Sequence, residues 1–277
     1  RRVLFRSFSL NRSGNKINSY ISYQYTKKNS FEEIQSDRSF KADTTFIQQY
    51  SYTTYPAQTH YVSAGMDFPL SKHWNFSYDT RFTRNSNLSK ANNEIDVSKT
   101  SLLNHMASIS SAINNHNRSL YFSNFITFKH KIDTIGSEWN SSFVYDYYDY
   151  HNNQDYVNSY TLPLRNAVLG DGKNTNRKNI RAFQSDLTLK LPQKYTIETG
   201  IKWNSSNSES SAEYYLDTGN AIRFPDRFQT NTYSYHESIG AAYVQLSKTF
   251  HGFVVKPGID RKSTRLNSSH ANISYAV

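Results

Sequence analysis

The chain has 277 residues, 36% hydrophobic and 15% aromatic, with 22 Tyr, 17 Phe, no Cys and a formal net charge of +10. No apolar run approaches the roughly 20 residues that a membrane-crossing helix needs, thiolate metal sites and cysteine nucleophiles are excluded, and the aromatic content argues against an intrinsically disordered chain. A β-barrel stays open to such a composition, because barrel strands cross a bilayer as alternating segments of about 10 residues.

The two ends stand apart. RRVLFRS (1–7) and RKSTRLNSSHANISYAV (261–277) resemble translated sequencing-library adapters and are expected to be non-native. Arg1, Arg2, Arg6, Arg261, Lys262 and Arg265 lie in them with no acidic residue, so six of the ten net charges go with the ends and +4 is left for 8–260. Nucleic acid is therefore not an expected partner. No secretory signal opens the chain, and the expectation is an internal piece of a longer exported protein.

From the N-terminal side, the first predicted strand is 17–27, followed by a polar connection over 28–57. The next two strands, 58–68 and 74–84, form a hairpin around a turn near residue 71. His60, Val62, Ala64, Met66 and Phe68 share one face of its first arm; Trp74, Phe76, Tyr78, Thr80 and Phe82 share one face of the second. Strands turn successive side chains to opposite faces, so the hairpin has one apolar and one polar surface.

The same unit recurs. Strands 119–130 and 138–150 flank a turn near 134, strands 180–191 and 195–205 one near 193, and strands 232–249 and 252–260 one near 251. Polar connections are expected over 85–118, 151–179 and 206–231. Segment 101–113 reads as loop or as a strand or short helix, and the loop keeps the strict alternation of short and long connections. That alternation suits a transmembrane barrel, with short periplasmic turns on one rim and long extracellular loops on the other. A soluble sandwich does not need four structureless connections of that length. Trp74, Tyr195 and Phe250 lie where a membrane-interface belt belongs, and Tyr145, Tyr147, Tyr148 and Tyr150 approach the other rim. The fold class is thus all-β, an antiparallel up-and-down transmembrane β-barrel fragment of about nine strands, occupying 8–260.

Residues 237–250, EsIgAAYVqLSKtF, followed by an alternating strand, together with SDLTLKLPQKYTIETGIKWNSS (185–206) and FITFKHKIDTIGSEWNSSFVYDY (125–147), resemble the barrel of TonB-dependent-receptor-like outer-membrane proteins. The resemblance implies nutrient uptake across a Gram-negative outer membrane. Its implied partners are outer-membrane lipid, a plug domain and a TonB-type energy-coupling protein reached through the rest of the parent chain, and a small nutrient or glycan ligand. No segment resembles the plug. A passive porin-like barrel and a soluble β-rich surface binding module are the alternatives.

The nine His are scattered, and no phosphate-binding loop is present. Neither a cofactor, a metal nor an enzymatic reaction is expected. DYYDYHNNQD (146–155) reads as a strand end entering an aromatic belt and a solvated loop, with cation or sugar binding as the alternative. Asp79, Arg81, Asp186, Glu198 and Lys202 are the candidate lumen-lining residues, because each falls on the polar side of its strand. Tyr214, Tyr215, Arg223 and Phe224 are candidate ligand contacts in an extracellular loop.

Overall fold

A computed structural model describes residues 2–42, 44–99, 105–217, 223–250 and 252–271, with the side chains of 268–271 left aside. The described residues form one antiparallel sheet of twelve strands: β1 (Arg2–Arg12), β2 (Asn18–Phe40), β3 (Thr45–Pro69), β4 (Trp74–Lys99), β5 (His105–Lys131), β6 (Glu138–Leu162), β7 (Arg165–Leu191), β8 (Tyr195–Asp217), β9 (Arg223–Pro225), β10 (Asn231–Phe250), β11 (Phe253–Val255) and β12 (Gly258–Ala271). Neighbours in the chain are neighbours in the sheet from β1 to β8. β10 then follows β8, β9 adds to the far end of β8, and β11 and β12 both pair β10. The sheet is open.

β11 and β12 act as one strand. Phe250 pairs Phe253 and Gln245 pairs Gly258, with no change of register between them. The gap falls at Lys256 and Pro257, where proline has no N–H to give the ladder. The Pro257 carbonyl still accepts from Leu246 N at 3.0 Å.

All nine expected strands are present, but the count and the long loops are corrected. β1 and β9 are additional, and the strand expected over 252–260 is divided between β11 and β12. The connections expected over 28–57, 85–118, 151–179 and 206–231 are mostly strand: Asn29 pairs Pro56, Lys90 pairs Asn114, and Asn152 pairs Asn174. Residues 101–104 lie outside the described residues, and 105–113 are the outer end of β5 rather than a loop. The alternation of short and long connections does not hold, since only Pro163 and Leu164 separate β6 from β7. The alternation of rims does hold, because 105–113 prolong β5 instead of adding a strand.

The physical reason lies in the outward face. Near the short turns it is apolar: Trp74, Phe76, Tyr78 and Phe82 on β4 stand beside Phe128, Ile126 and Phe122 on β5, and these beside Phe143 and Tyr147 on β6. After about ten positions the same face turns polar, with Arg84, Ser86, Asp149, His151, Arg177 and Glu209. A band of that height matches the roughly 25 Å apolar belt of a membrane barrel. Beyond it both faces meet water, so the period-two contrast that marks a half-buried strand disappears while the ladder continues. At about 3.3 Å per residue, the 26-residue β4 is far longer than the 9–11 residues a tilted crossing uses.

No apolar side chain among the described residues is buried by protein. Phe128, Phe143, Ile201, Trp203 and Val244 are all exposed. A water-soluble sheet hides one face against a second layer; here the apolar band is left to the surrounding medium. Lipid satisfies it, and the unbroken ladders satisfy the backbone groups that lipid cannot. The band ends at Ile259, after which Arg261, Ser263 and Arg265 take outward positions beside Ala242, Gly240 and Ser238.

Candidate functional site

Asp79, Arg81, Asp186, Glu198 and Lys202 all stand on the face opposite the apolar band, each on a strand whose alternate residues form that band. The structure brings three of them together. Asp186 on β7 pairs Gly200 on β8, and Glu198 and Lys202 flank Gly200 one step away on the same face. Asp79 and Arg81 lie apart, on β4, with β5 and β6 between them and β7; in the row of Asp79 those two strands contribute Phe125 and Val144. The inward wall is therefore polar in patches, with an apolar interval.

Asp79 and Asp186 are held in the same way. Tyr20 on β2, Gly65 on β3 and Asp79 on β4 form one register row. The Tyr20 hydroxyl donates to Asp79 Oδ1 at 2.6 Å. Its ring crosses Gly65: a Cβ added there would meet Tyr20 Cε1 at 2.3 Å. Tyr243 on β10, Gly200 on β8 and Asp186 on β7 form a second such row. Tyr243 donates to Asp186 Oδ1 at 2.8 Å, and a Cβ on Gly200 would meet Tyr243 Cε1 at 2.6 Å. Gln184 Nε2 also donates to Asp186 at 2.8 Å, and Gln245 Nε2 to Glu198 at 3.0 Å. Sequence reading placed the acids but not Tyr20, Tyr243 and the glycines that let the rings lie flat. Each was on its polar side by alternation; only the inter-strand register shows that they meet.

The four residues expected in a loop are in strands. Tyr214 and Tyr215 belong to β8, Arg223 and Phe224 to β9. They do not converge. Tyr215 and Arg223 meet on the outward side, with the guanidinium 3.8 Å from the ring centroid. Arg223 also donates through Nε to Asp171 Oδ1 at 3.0 Å and through Nη2 to Oδ2 at 2.5 Å. Asp171 was not anticipated. Tyr214 faces inward over Gly172, and Phe224 pairs Leu216 on the inward side. No group of three or more His, Asp or Glu able to hold a metal ion occurs among the described residues.

At the membrane's lower edge the outward face gathers rings. Trp74 stacks on His130 at 3.9 Å and meets Trp139 edge-on at 6.0 Å. Lys248 Nζ lies 4.1 Å from the Tyr195 ring and 4.7 Å from Phe250. This is the amphipathic girdle of a bilayer interface, where ring bodies are apolar and their polar tips and a neighbouring ammonium stay wet.

The family model described as "Outer membrane protein beta-barrel family" matches residues 130–272, from the last turn-side residues of β5 through β12. The unmatched β1–β5 region continues the same sheet, each strand pairing the next in chain order. No curated protein matches the chain.

Proposed function

The chain belongs to the outer membrane protein beta-barrel family and is an outer-membrane protein, and on that premise we propose that it is the wall of a nutrient receptor or transporter that works like TonB-dependent receptors. What carries this is the inward wall: carboxylates and cations on β4, β7 and β8 face the space enclosed by a barrel, and Asp79 and Asp186 are fixed by donors rather than paired with cations. A wall of that kind keeps water inside and offers a polar solute a path. The plug and the TonB-type coupling protein are proposed partners through the remainder of the parent chain, and outer-membrane lipid is the partner of the apolar band.

The test is uptake by the source cell, with the parent locus intact or deleted, using a ferric chelate and a labelled oligosaccharide as probes, each with and without a protonophore. Loss of uptake on deletion and on de-energising is the expected result. Uptake that needs the locus but ignores the protonophore replaces this with a passive porin-like barrel. Uptake indifferent to the locus overturns a transport role.

A further inference from the structure

Above the membrane band, the two faces of β5–β8 differ sharply. Outward, they carry Asp149, Arg177, Glu209, Lys173, Glu213 and Asp171. Inward, in the register rows from Tyr148 to Tyr156, Lys178 is the one formally charged residue, and the rest are Tyr, Asn, Gln, Ser, Gly and a few aliphatics. Solvation alone does not explain this, since both faces meet the same water.

The inward tyrosines are arranged as a platform. Gly170 and Gly172 are consecutive inward positions of β7. Tyr156 crosses Gly170 from the β6 side, and Tyr214 crosses Gly172 from the β8 side; a Cβ at either glycine would come within 2.2 or 2.3 Å of ring atoms. Two rings from opposite strands therefore lie side by side against bare backbone. Three and four inward positions nearer the membrane on β6, Tyr150 and Tyr148 stack with an interplanar angle of 7° and centroids 6.4 Å apart. The Tyr150 hydroxyl is anchored on Asn117 Oδ1 at 2.7 Å. Tyr214 is gripped from its other side: Asp226 N donates to its carbonyl at 2.8 Å, and its own N–H donates to Thr230 Oγ1 at 3.1 Å. The Asp226 carboxylate is already taken by Phe228 N and Gln229 Nε2, both at 2.9 Å.

We infer that this platform of Tyr148, Tyr150, Tyr156 and Tyr214 at the barrel mouth binds a neutral oligosaccharide. Rigid ring faces accept the C–H faces of pyranose units, with little side-chain entropy lost because the rings are already held. The surrounding amides and hydroxyls supply both donors and acceptors for sugar hydroxyls. An anionic ferric chelate needs a cluster of cations that these rows lack. The inference rests on the proposed uptake role only for what happens after binding.

The experiment is calorimetric titration of the detergent-solubilised full product of the parent locus with neutral hexasaccharides (maltohexaose and cellohexaose) and with a ferric citrate control. Saturable binding of a hexasaccharide is expected, without binding of the chelate. Tyr156→Ala and Tyr214→Ala are each expected to weaken it roughly tenfold, the scale of one lost ring contact. Tyr214→Phe keeps the ring and is expected to stay within about threefold of the unsubstituted protein, a change too small to come from a lost contact; it also covers the case in which an Ala variant fails to fold. Gly172→Ala, which pushes the Tyr214 ring off its seat, is expected to weaken binding as Tyr214→Ala does. No saturable binding of either sugar, or unchanged binding in the Tyr156→Ala/Tyr214→Ala double variant, overturns the inference. Binding here together with uptake indifferent to the locus removes the transport role and leaves the site standing; energised uptake of the chelate without sugar binding does the reverse.

Discussion

The Tyr20 hydroxyl donates to Asp79 across an intervening strand, 2.6 Å from Oδ1, and it reaches because Gly65 leaves the path open. Tyr243 reaches Asp186 over Gly200 in the same manner. Each contact ties three successive strands through one side chain, which a ladder of neighbouring pairs cannot do. Gly65→Ala and Gly200→Ala are expected to destabilise the sheet by about 1–3 kcal/mol through overpacking. Combining Gly65→Ala with Tyr20→Ala should recover part of that loss. Urea unfolding of the lipid-reconstituted protein followed through the cycle measures the coupling; additive losses would show that the ring and the glycine do not interact.

The outward band makes a prediction that depends on side rather than position. Ile126→Arg places a charge beside Tyr78 and Phe143 in the middle of the band, where it is expected to cost about 2–4 kcal/mol. Thr127→Arg, one residue along on the opposite face, is expected to cost far less. Equal losses in reconstituted vesicles would mean that the assigned faces are wrong.

The turn between β5 and β6 is pH-sensitive in a defined direction. Asp133 accepts from Ser137 N at 2.8 Å and from Ile135 N at 3.0 Å. Hydrogen bonds from the Ser137 side chain and then its N–H hold the carboxyl below its ordinary range. A depressed folded-state pKa gives a contribution present above the unfolded value of about 4 and lost as pH falls through the folded one. Protection of the Ser137 amide, read by NMR, should therefore hold at neutral pH and fade below about pH 4. Asp133→Asn keeps an acceptor and should flatten that dependence.

An ion pair ties β9 to β7 in addition to its backbone pairing with β8. Asp171 holds Arg223, which also covers the Tyr215 ring. Both partners are about half exposed, so the pair contributes at most about 1 kcal/mol to overall stability. Its effect should be local. Asp171→Asn is expected to speed tryptic cleavage after Arg223 several-fold while leaving the unfolding midpoint unchanged. Unchanged cleavage would show that backbone pairing with β8 suffices.

The membrane-level half of the fold was legible because lipid on one side and water on the other impose alternation. Trp74 to Phe82 and Tyr195 to Trp203 showed their faces without any knowledge of neighbours. The outer half was not legible. Asn85–Lys99 and His151–Asn179 are wet on both faces, and a strand wet on both faces has the composition of a loop. The charged residues were assigned to the face opposite the band for the same reason, by parity, and the register puts them there. The Tyr–Gly–Asp rows and the Tyr156–Gly170 and Tyr214–Gly172 seats needed register, which depends on which residue stands opposite which. Arg223 was singled out in the sequence, but its partner Asp171 is 52 positions away.

Because the strands run on past the membrane, the mouth of this wall is already ordered before any solute arrives. A loop that closes on its ligand must give up backbone freedom of about 1–2 kcal/mol for each residue it fixes. Ladder-bonded strands such as Arg84–Lys99 and their partners on β5 have surrendered that freedom on folding. A solute meeting them gains its contacts without a deduction for induced order. Capture at such a rim is then set by the rate of encounter, and discrimination by the fit of a stiff surface.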